Sequence, residues 1–411
     1  MKEIIKLDDT RQASDRCPQE AGAAQPAGVL SSNTPPLNSK SDWVGGEDWL
    51  EWCLYVEWGD QWDEIVVKLN EAKERAGDQK ECKVRGFDLI QFGLYEVQVY
   101  PSGVSRGKKG KGLYMAFRLQ VEGLIMQIAK RVKSQGEQPN VVIRAGGTEC
   151  LQLGGLGCLN LGRAIVGVMG GNVMREKLSR VDMCLDLPDV LMDEFVVAYH
   201  EKRYICRAHA RSLEESNGIT LYLGKPPLRL RIYDKKAQLQ MCGDMVKVYL
   251  MKERRWGGRN VENAIRVEFE IGRDALKENG IDTPDDYFKK RSDLISYLCN
   301  DWIRFTVGNV DRTNTTRAAV WPMWQKIKEG FCNWAGIPQG LSLEALERGP
   351  VDVGQLLKQA AGVLLTAACN QGISPDNTKE FLAYATNALK ATIGGMNLKS
   401  EIARRNTALL G

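Results

Sequence analysis

Three short stretches between Arg180 and Ile271 alternate apolar and polar residues with period two, the mark of strands with one buried and one open face. In Arg180 to Leu187, residues Arg180, Asp182, Cys184 and Asp186 fall on one face, and Val181, Met183, Leu185 and Leu187 on the other. In Leu228 to Lys235, Arg229, Arg231, Tyr233 and Lys235 oppose Leu230 and Ile232. In Ile265 to Ile271 the polar face carries Arg266, Glu268 and Glu270. Gly218 to Gly224 alternates in the same way and reaches the second stretch through Lys225-Pro226-Pro227, which predicts a tight hairpin and an antiparallel sheet.

Elsewhere the pattern changes period. Asp48 to Trp58 reads as a first strand, Trp62 to Ala76 as an amphipathic helix, and Phe92 to Pro101 as a strand. Leu113 to Val132 is read as a helix ending in Lys130-Arg131-Val132-Lys133, a cationic end that suits the helix dipole. The glycine-rich run Gly146 to Gly162 is read as turns between short strands. Beyond Pro338, Leu341 to Arg348, Val353 to Cys369 and Lys379 to Ile393 have helical spacing, broken by Gly349-Pro350 and Gly372 to Pro375. Thr10 to Ser41 has almost no large apolar residue to offset its ordering entropy and reads as a disordered leader. The expected class is α+β: a leader over 1–42, a domain of antiparallel sheet and flanking helices over 43–335, and a small helical region over 336–411. The alanine-rich stretch Gln359 to Asn370 is apolar enough to pack within the chain or against a second copy, as a homodimer would require.

With 411 residues, 43% hydrophobic and 26% charged, the chain has the composition of an ordinary soluble protein. A net charge of +4 means that any nucleic-acid surface must be local. Two local candidates exist. The loop Ser102 to Gly112 carries Arg106, Lys108, Lys109 and Lys111, and lacks the order of a nucleotide P-loop; a solvated hairpin tip and a phosphate contact both fit it. Lys252 to Arg259 carries Arg254 and Arg255 beside Trp256, a backbone contact with a stacking ring or an exposed loop with a partly buried Trp. Gly155 and Gly157 lack the third glycine of a dinucleotide fold. Eleven cysteines without a C-x-x-C pair and only two histidines, His200 and His209, exclude a disulfide framework, a zinc ribbon and a paired-histidine metal site. No signal-peptide core and no long apolar run appear, so a reducing cytoplasm without a membrane is expected.

Opposite charges on a sheet face can simply stabilise strand pairing, by about 0.2 to 1 kcal/mol per pair. The same residues can also do chemistry: Asp182 and Glu268, with Asp186 or Glu270, suit a hard cation such as Mg or Mn, with Tyr233 beside it as a nucleophile. Asp182 and Asp186 lie roughly 13 Å apart along a straight strand, so only one is expected to bind directly. Asp182, sharing its face with Arg180, is the preferred one.

Three motifs in this order, Arg180-Val181-Asp182-Met183-Cys184-Leu185-Asp186, Thr220-Leu221-Tyr222-Leu223-Gly224 leading to Arg231-Ile232-Tyr233-Asp234-Lys235, and Arg266-Val267-Glu268-Phe269-Glu270, resemble the replication initiation factor family. These are rolling-circle initiators of plasmids and filamentous phages, with related relaxases. Asp48-Trp49-Leu50 resembles the family's opening strand and Trp321-Pro322-Met323-Trp324 its closing segment, so the likeness spans about residues 43 to 335. The chain departs from it at Gly224-Lys225-Pro226-Pro227, where Ser-Arg and a longer turn are usual, and at Glu51, Trp52 and Cys53, where Ser and Phe are usual.

The resemblance implies a nickase-like fold and a metal-dependent nicking-closing enzyme that binds an origin, exposed as single-stranded or extruded DNA. Tyr233 would attack a phosphodiester, leaving a 5'-phosphotyrosine and a 3'-hydroxyl primer and later resealing. Arg231, Lys235 and a bound metal are expected to lower the phenol's pKa from about 10. Tyr222 is the competing nucleophile, disfavoured because its strand neighbours Thr220 and Gly224 bring no cation. A host helicase is the partner such an initiator would need. A relaxase acting at a transfer origin and a non-catalytic DNA-binding regulator on the same fold are the rival readings.

Overall fold

The computed structural model describes residues 43–81, 83, 86–106, 113–215, 218–308, 310, 315–344, 353–374 and 377–403. The expected leader and Lys108, Lys109 and Lys111 lie outside these residues. The chain divides into two units, Met1–Leu346 and Glu347–Gly411.

The strands of the first unit are β1 (Val44–Trp58), β2 (Asp88–Phe92), β3 (Tyr95–Val99), β4 (Val104–Arg106), β5 (Leu113–Met115), β6 (Phe117–Val121), β7 (Leu124–Ile128) and β8 (Val141–Ala145), then β9 (Gly171–Pro188), β10 (Tyr204–Cys206), β11 (Arg211–Glu214), β12 (Thr220–Lys225), β13 (Leu228–Asp234), β14 (Ala264–Gly272) and β15 (Ile303–Phe305). Its helices are α1 (Trp62–Glu81), α2 (Gly147–Val168), α3 (Asp193–His200), α4 (Lys235–Cys242), α5 (Met245–Arg255), α6 (Arg273–Glu278), α7 (Pro284–Tyr297) and α8 (Pro322–Ala335). The second unit holds α9 (Val353–Asn370) and α10 (Thr378–Gly394). The Asn377 side chain caps α10 by accepting from the Glu380 amide.

One eleven-stranded antiparallel sheet organises the first unit, in the order β11-β12-β13-β14-β9-β1-β8-β7-β6-β3-β2. The fold is α+β, as expected. The long central pair β1 and β9 runs antiparallel from Val44 opposite Asp186 to Trp58 opposite Gly171, with register shifts between Glu47 and Trp49, Glu51 and Trp52, and Tyr55 and Val56, and it ties the two halves of the sheet together. Leu185 and Phe269 turn inward to meet α8: Phe269 and Phe331 lie 5.8 Å apart, and a Cβ on Gly330 would come within 2.9 Å of Leu185. Thr283 and Asp286 form a reciprocal capping box at the start of α7, with Pro284 in the first turn.

Two expectations fail for physical reasons. Leu113 to Val132 is not a helix but β5, β6 and β7, because Phe117-x-Leu119-x-Val121 alternates in burial, Leu124, Met126 and Ile128 are buried on the paired strand, and the Glu122-Gly123 turn has positive φ at both residues. Gly146 to Gly162 is not a set of turns but most of α2, where the glycines allow close packing on the sheet. A Cβ on Gly155 would meet Glu47 at 2.9 Å, and one on Gly162 would meet Trp52 at 2.8 Å. Gly154, at φ 67°, kinks this helix. Among the described residues α2 is the one helix long and apolar enough to cross a membrane, and here much of it is packed inside the protein.

Candidate active site

The hairpin closes where expected: Lys225 pairs with Leu228 across Pro226-Pro227, and this register fixes every polar neighbour on the four strands. Thr220, Tyr233, Arg266 and Asp186 form one cross-strand row. Tyr222, Arg231, Glu268 and Cys184 form the next, and Gly224, Arg229, Glu270 and Asp182 the third. The predicted polar face is therefore one continuous grid. It is covered rather than open, since Asp182, Asp186, Arg266, Glu268 and Glu270 are all buried.

In the second and third rows, Asp182, Glu268 and Glu270 each bring a carboxyl oxygen within 4.8 Å of the others. Their cover is made of guanidinium groups, themselves 26 to 39% exposed. Arg180 forks onto Asp182 at 2.8 and 2.6 Å and reaches Glu270 at 3.4 Å. Arg229 holds Glu270 at 2.6 Å, while Arg231 binds Glu268 and also Glu270 at 3.1 Å. Burial pushes the Asp182 carboxyl up to about 7; Arg180 opposes this, and Glu268 and Glu270 add to it. Three hard oxygen donors this close, one of them holding a proton near neutrality, fit a Mg or Mn ion, whose charge would replace that proton. The cation would share these oxygens with the three arginines.

The first row is built differently. Arg266 donates to both oxygens of Asp186 at 2.7 Å and contacts Asp48 at 2.5 Å and the Met251 sulfur at 3.4 Å. Arg255 approaches Asp186 at 3.6 Å and donates to the Val44 carbonyl at 3.0 Å. Asp186 is thus claimed by two arginines and does not join the acidic cluster. Asp48 belongs to this group too: burial raises its carboxyl, but Arg266, Lys235 and Lys247 outweigh that and hold it well below the ordinary carboxylate range. Its role was hidden from the sequence because a β-bulge between Glu47 and Trp49 changes which residue of β1 faces which neighbour.

Tyr233 stands where the two groups meet. Its hydroxyl donates to Glu268 Oε2 at 2.9 Å, and Lys235 Nζ lies 3.5 Å away, held by Gln238 at 2.8 Å. Lys235 sits there because Asp234 caps α4, accepting from the Ala237 amide and starting the helix as the strand ends. The expected lowering of the phenol's pKa is reversed: burial and then Glu268 raise it well above 10, more than Arg266 and Arg231 can offset. Burial and the Arg266 charge likewise bring Lys235 down to about 8. A cleft of about 100 Å³ lined by Tyr222, Arg231, Tyr233 and Gln238 leads to this point. The argument against Tyr222 also changes, since Arg229 lies over its ring at 4.9 Å and supplies the cation that the strand neighbours lack.

The predicted DNA contacts fare unevenly. Arg106 is half-buried, paired with Glu51 and bonded to Gln127 at 2.9 Å. Arg254 is partly exposed, but Arg255 and Trp256 are buried: Arg255 turns toward Asp186, and Trp256, just after α5, packs with Leu239, Met251 and Val261.

No protein-family model matches the chain, and no curated protein does. Among solved structures it is similar to a rolling circle replication initiator protein from Geobacillus stearothermophilus, with 13% identity, a TM-score of 0.40, and coverage of 74% of this chain and 99% of that one. So distant a likeness leaves the chemistry to be argued from this chain's own residues.

Proposed function

We propose that the protein is a rolling-circle DNA replication initiator that nicks one strand at its origin through Tyr233 and later reseals it. The observation that carries this reading is the convergence, on one buried sheet face, of a tyrosine hydroxyl bonded to a carboxyl, a lysine beside it, and three carboxyls able to hold a hard cation.

Because its pKa is raised, Tyr233 does not wait as phenolate. The phenol oxygen attacks the phosphorus as its proton passes to Glu268 Oε2, 2.9 Å away. The phosphorus–O3' bond breaks, and the 3'-oxygen takes up the proton that Glu268 received, passed on through water, to become the primer hydroxyl. Arg231, whose guanidinium lies over the Tyr233 ring at 5.6 Å, is placed to neutralise charge on the phosphate. Lys235 stabilises negative charge growing on the phenol oxygen. Asp182, Glu268 and Glu270 would hold Mg or Mn, which when bound polarises the phosphate. The bond energy retained in phosphotyrosine lets the same groups run the reaction backwards and reseal the strand.

The test is a nicking assay on supercoiled DNA carrying the element's own origin, with Mg or Mn and with EDTA. Metal-dependent nicking and a covalent protein–DNA adduct, both lost in Tyr233→Phe, are expected. An adduct that persists in Tyr233→Phe and vanishes in Tyr222→Phe would move the nucleophile one strand over. Specific binding without nicking would make the protein a regulator.

A further inference from the structure

The outermost strand carries chemistry that the grid does not use. Arg207, His209 and Arg211 lie two residues apart, the first two in the connection from β10 and the third at the start of β11. That segment continues the sheet edge, with the Gly224 amide donating to the Ala210 carbonyl at 2.8 Å and Arg211 pairing with Leu223. All three side chains are exposed, and two cavities that share His209 lie along them. The first, about 460 Å³, is lined by Arg207, Lys225, Tyr297 and Trp302; the second, about 510 Å³, by Lys202, Tyr204 and Arg211.

Aromatic rings and cations are interleaved here. The Arg207 guanidinium lies 5.7 Å from the Tyr297 ring centre and is steadied by the Asp301 carbonyl at 3.0 Å; Arg211 lies 5.2 Å from the Tyr204 ring. Glu278 is the carboxyl among the described residues lining the first cavity, and Glu201 in the second is engaged by Arg203 at 2.7 Å. Gly224 makes the first cavity's shape, because at φ 93° it lets Trp302 come so near that a Cβ would meet that ring at 3.0 Å. The groove also adjoins the site: Gly224 pairs with Arg229, the residue that holds Glu270, so the first cavity begins at the hairpin that ends the acidic row.

We infer that this edge groove binds a segment of single-stranded DNA, with phosphates on Arg207, Arg211 and Lys225 and a base against Tyr297. This extends the nicking reading and rests on it, since a nicked duplex yields a free strand beside the hairpin. Rows of cations with interleaved rings favour single strands, whose unstacked bases can lie on a ring, over duplex, whose bases are covered.

The experiment is fluorescence anisotropy of the full-length protein with labelled dT20, in competition with unlabelled dT20 and with a 20-base-pair duplex. The Arg207→Ala/Arg211→Ala/Lys225→Ala variant, all at exposed positions, is expected to bind dT20 about tenfold or more weakly, with a shallower salt dependence, about 0.7 less per lost contact. Tyr297→Phe should bind as the parent does, and Tyr297→Ala roughly tenfold more weakly, at unchanged circular dichroism. Equal affinity of parent and triple variant, no binding of dT20 by the parent, or equal competition by duplex would each overturn the groove. Loss of dT20 binding in the variants, together with failure of the origin-nicking assay, would keep the groove and sink the nickase.

Discussion

Asp182 and Asp186 are four residues apart on the same face of β9, yet they meet opposite surroundings. Asp182 sits with two more carboxyls, takes its pKa up to about 7, and has guanidinium groups only on its outer side. Asp186 sits between Arg266 and Arg255 with both oxygens occupied. The face that a residue presents follows from its own strand, but the charge it meets is chosen by β14 and by the helices above it. One end of the grid gathers like charges that invite a cation; the other balances charge internally and holds the site in shape.

The largest effect should separate chemistry from structure. Tyr233→Phe is expected to lower nicking by about a thousandfold or more while shifting the urea midpoint by less than about 1 kcal/mol equivalent. Comparable losses in both would make Tyr233 a core residue. Arg266→Met should do the reverse end's damage, costing about 3 to 5 kcal/mol in urea unfolding because Asp186 and Asp48 would remain buried without their shared partner. A change under about 1 kcal/mol would mean that Arg255 alone suffices.

Asp182 gives the comparison a pH signature. Its folded value of about 7 lies above its ordinary value of 3.8, so the folded chain holds that proton more tightly than the unfolded one. The stability it contributes is fully present below about pH 4 and is lost as pH rises through about 7. Thermal melts of metal-free protein should therefore show a lower Tm at pH 8 than at pH 6, with Mn restoring more at pH 8. Asp182→Asn should flatten both responses. The smallest effect belongs to the rim: Arg229→Gln, at a side chain 28% exposed, should change stability by less than about 1 kcal/mol. Loss of any Tyr222-linked adduct in that variant would show that Arg229 supports the second tyrosine.

Period-two alternation placed the four strands of the grid correctly, because one face of each is apolar and the turn Lys225-Pro226-Pro227 sets their register. It could not tell that the polar face is covered, since burial by α5 depends on Met251 and Arg255, more than sixty residues from β9 in sequence. Nor could charge counting along β13 foresee that burial, and then Glu268 from β14, would raise the Tyr233 pKa. The glycines of α2 misled because small residues mark turns and close helix packing alike. The hairpin turn of Glu122-Gly123 escaped because a helix and two short strands can share the same apolar count.

The order of the strands in the sheet also sets when the site can exist. β1 and β9 are separated by more than a hundred residues, and β14 must slot between β9 and β13 after both have been made. Such pairings pay their loop-closure entropy before any contact repays it, so the sheet should fold slowly. During synthesis Asp182 and Tyr233 emerge first, and only when residues 264–272 leave the ribosome do Glu268 and Glu270 complete the centre. A truncated chain ending before β14 would carry the tyrosine and none of its chemistry.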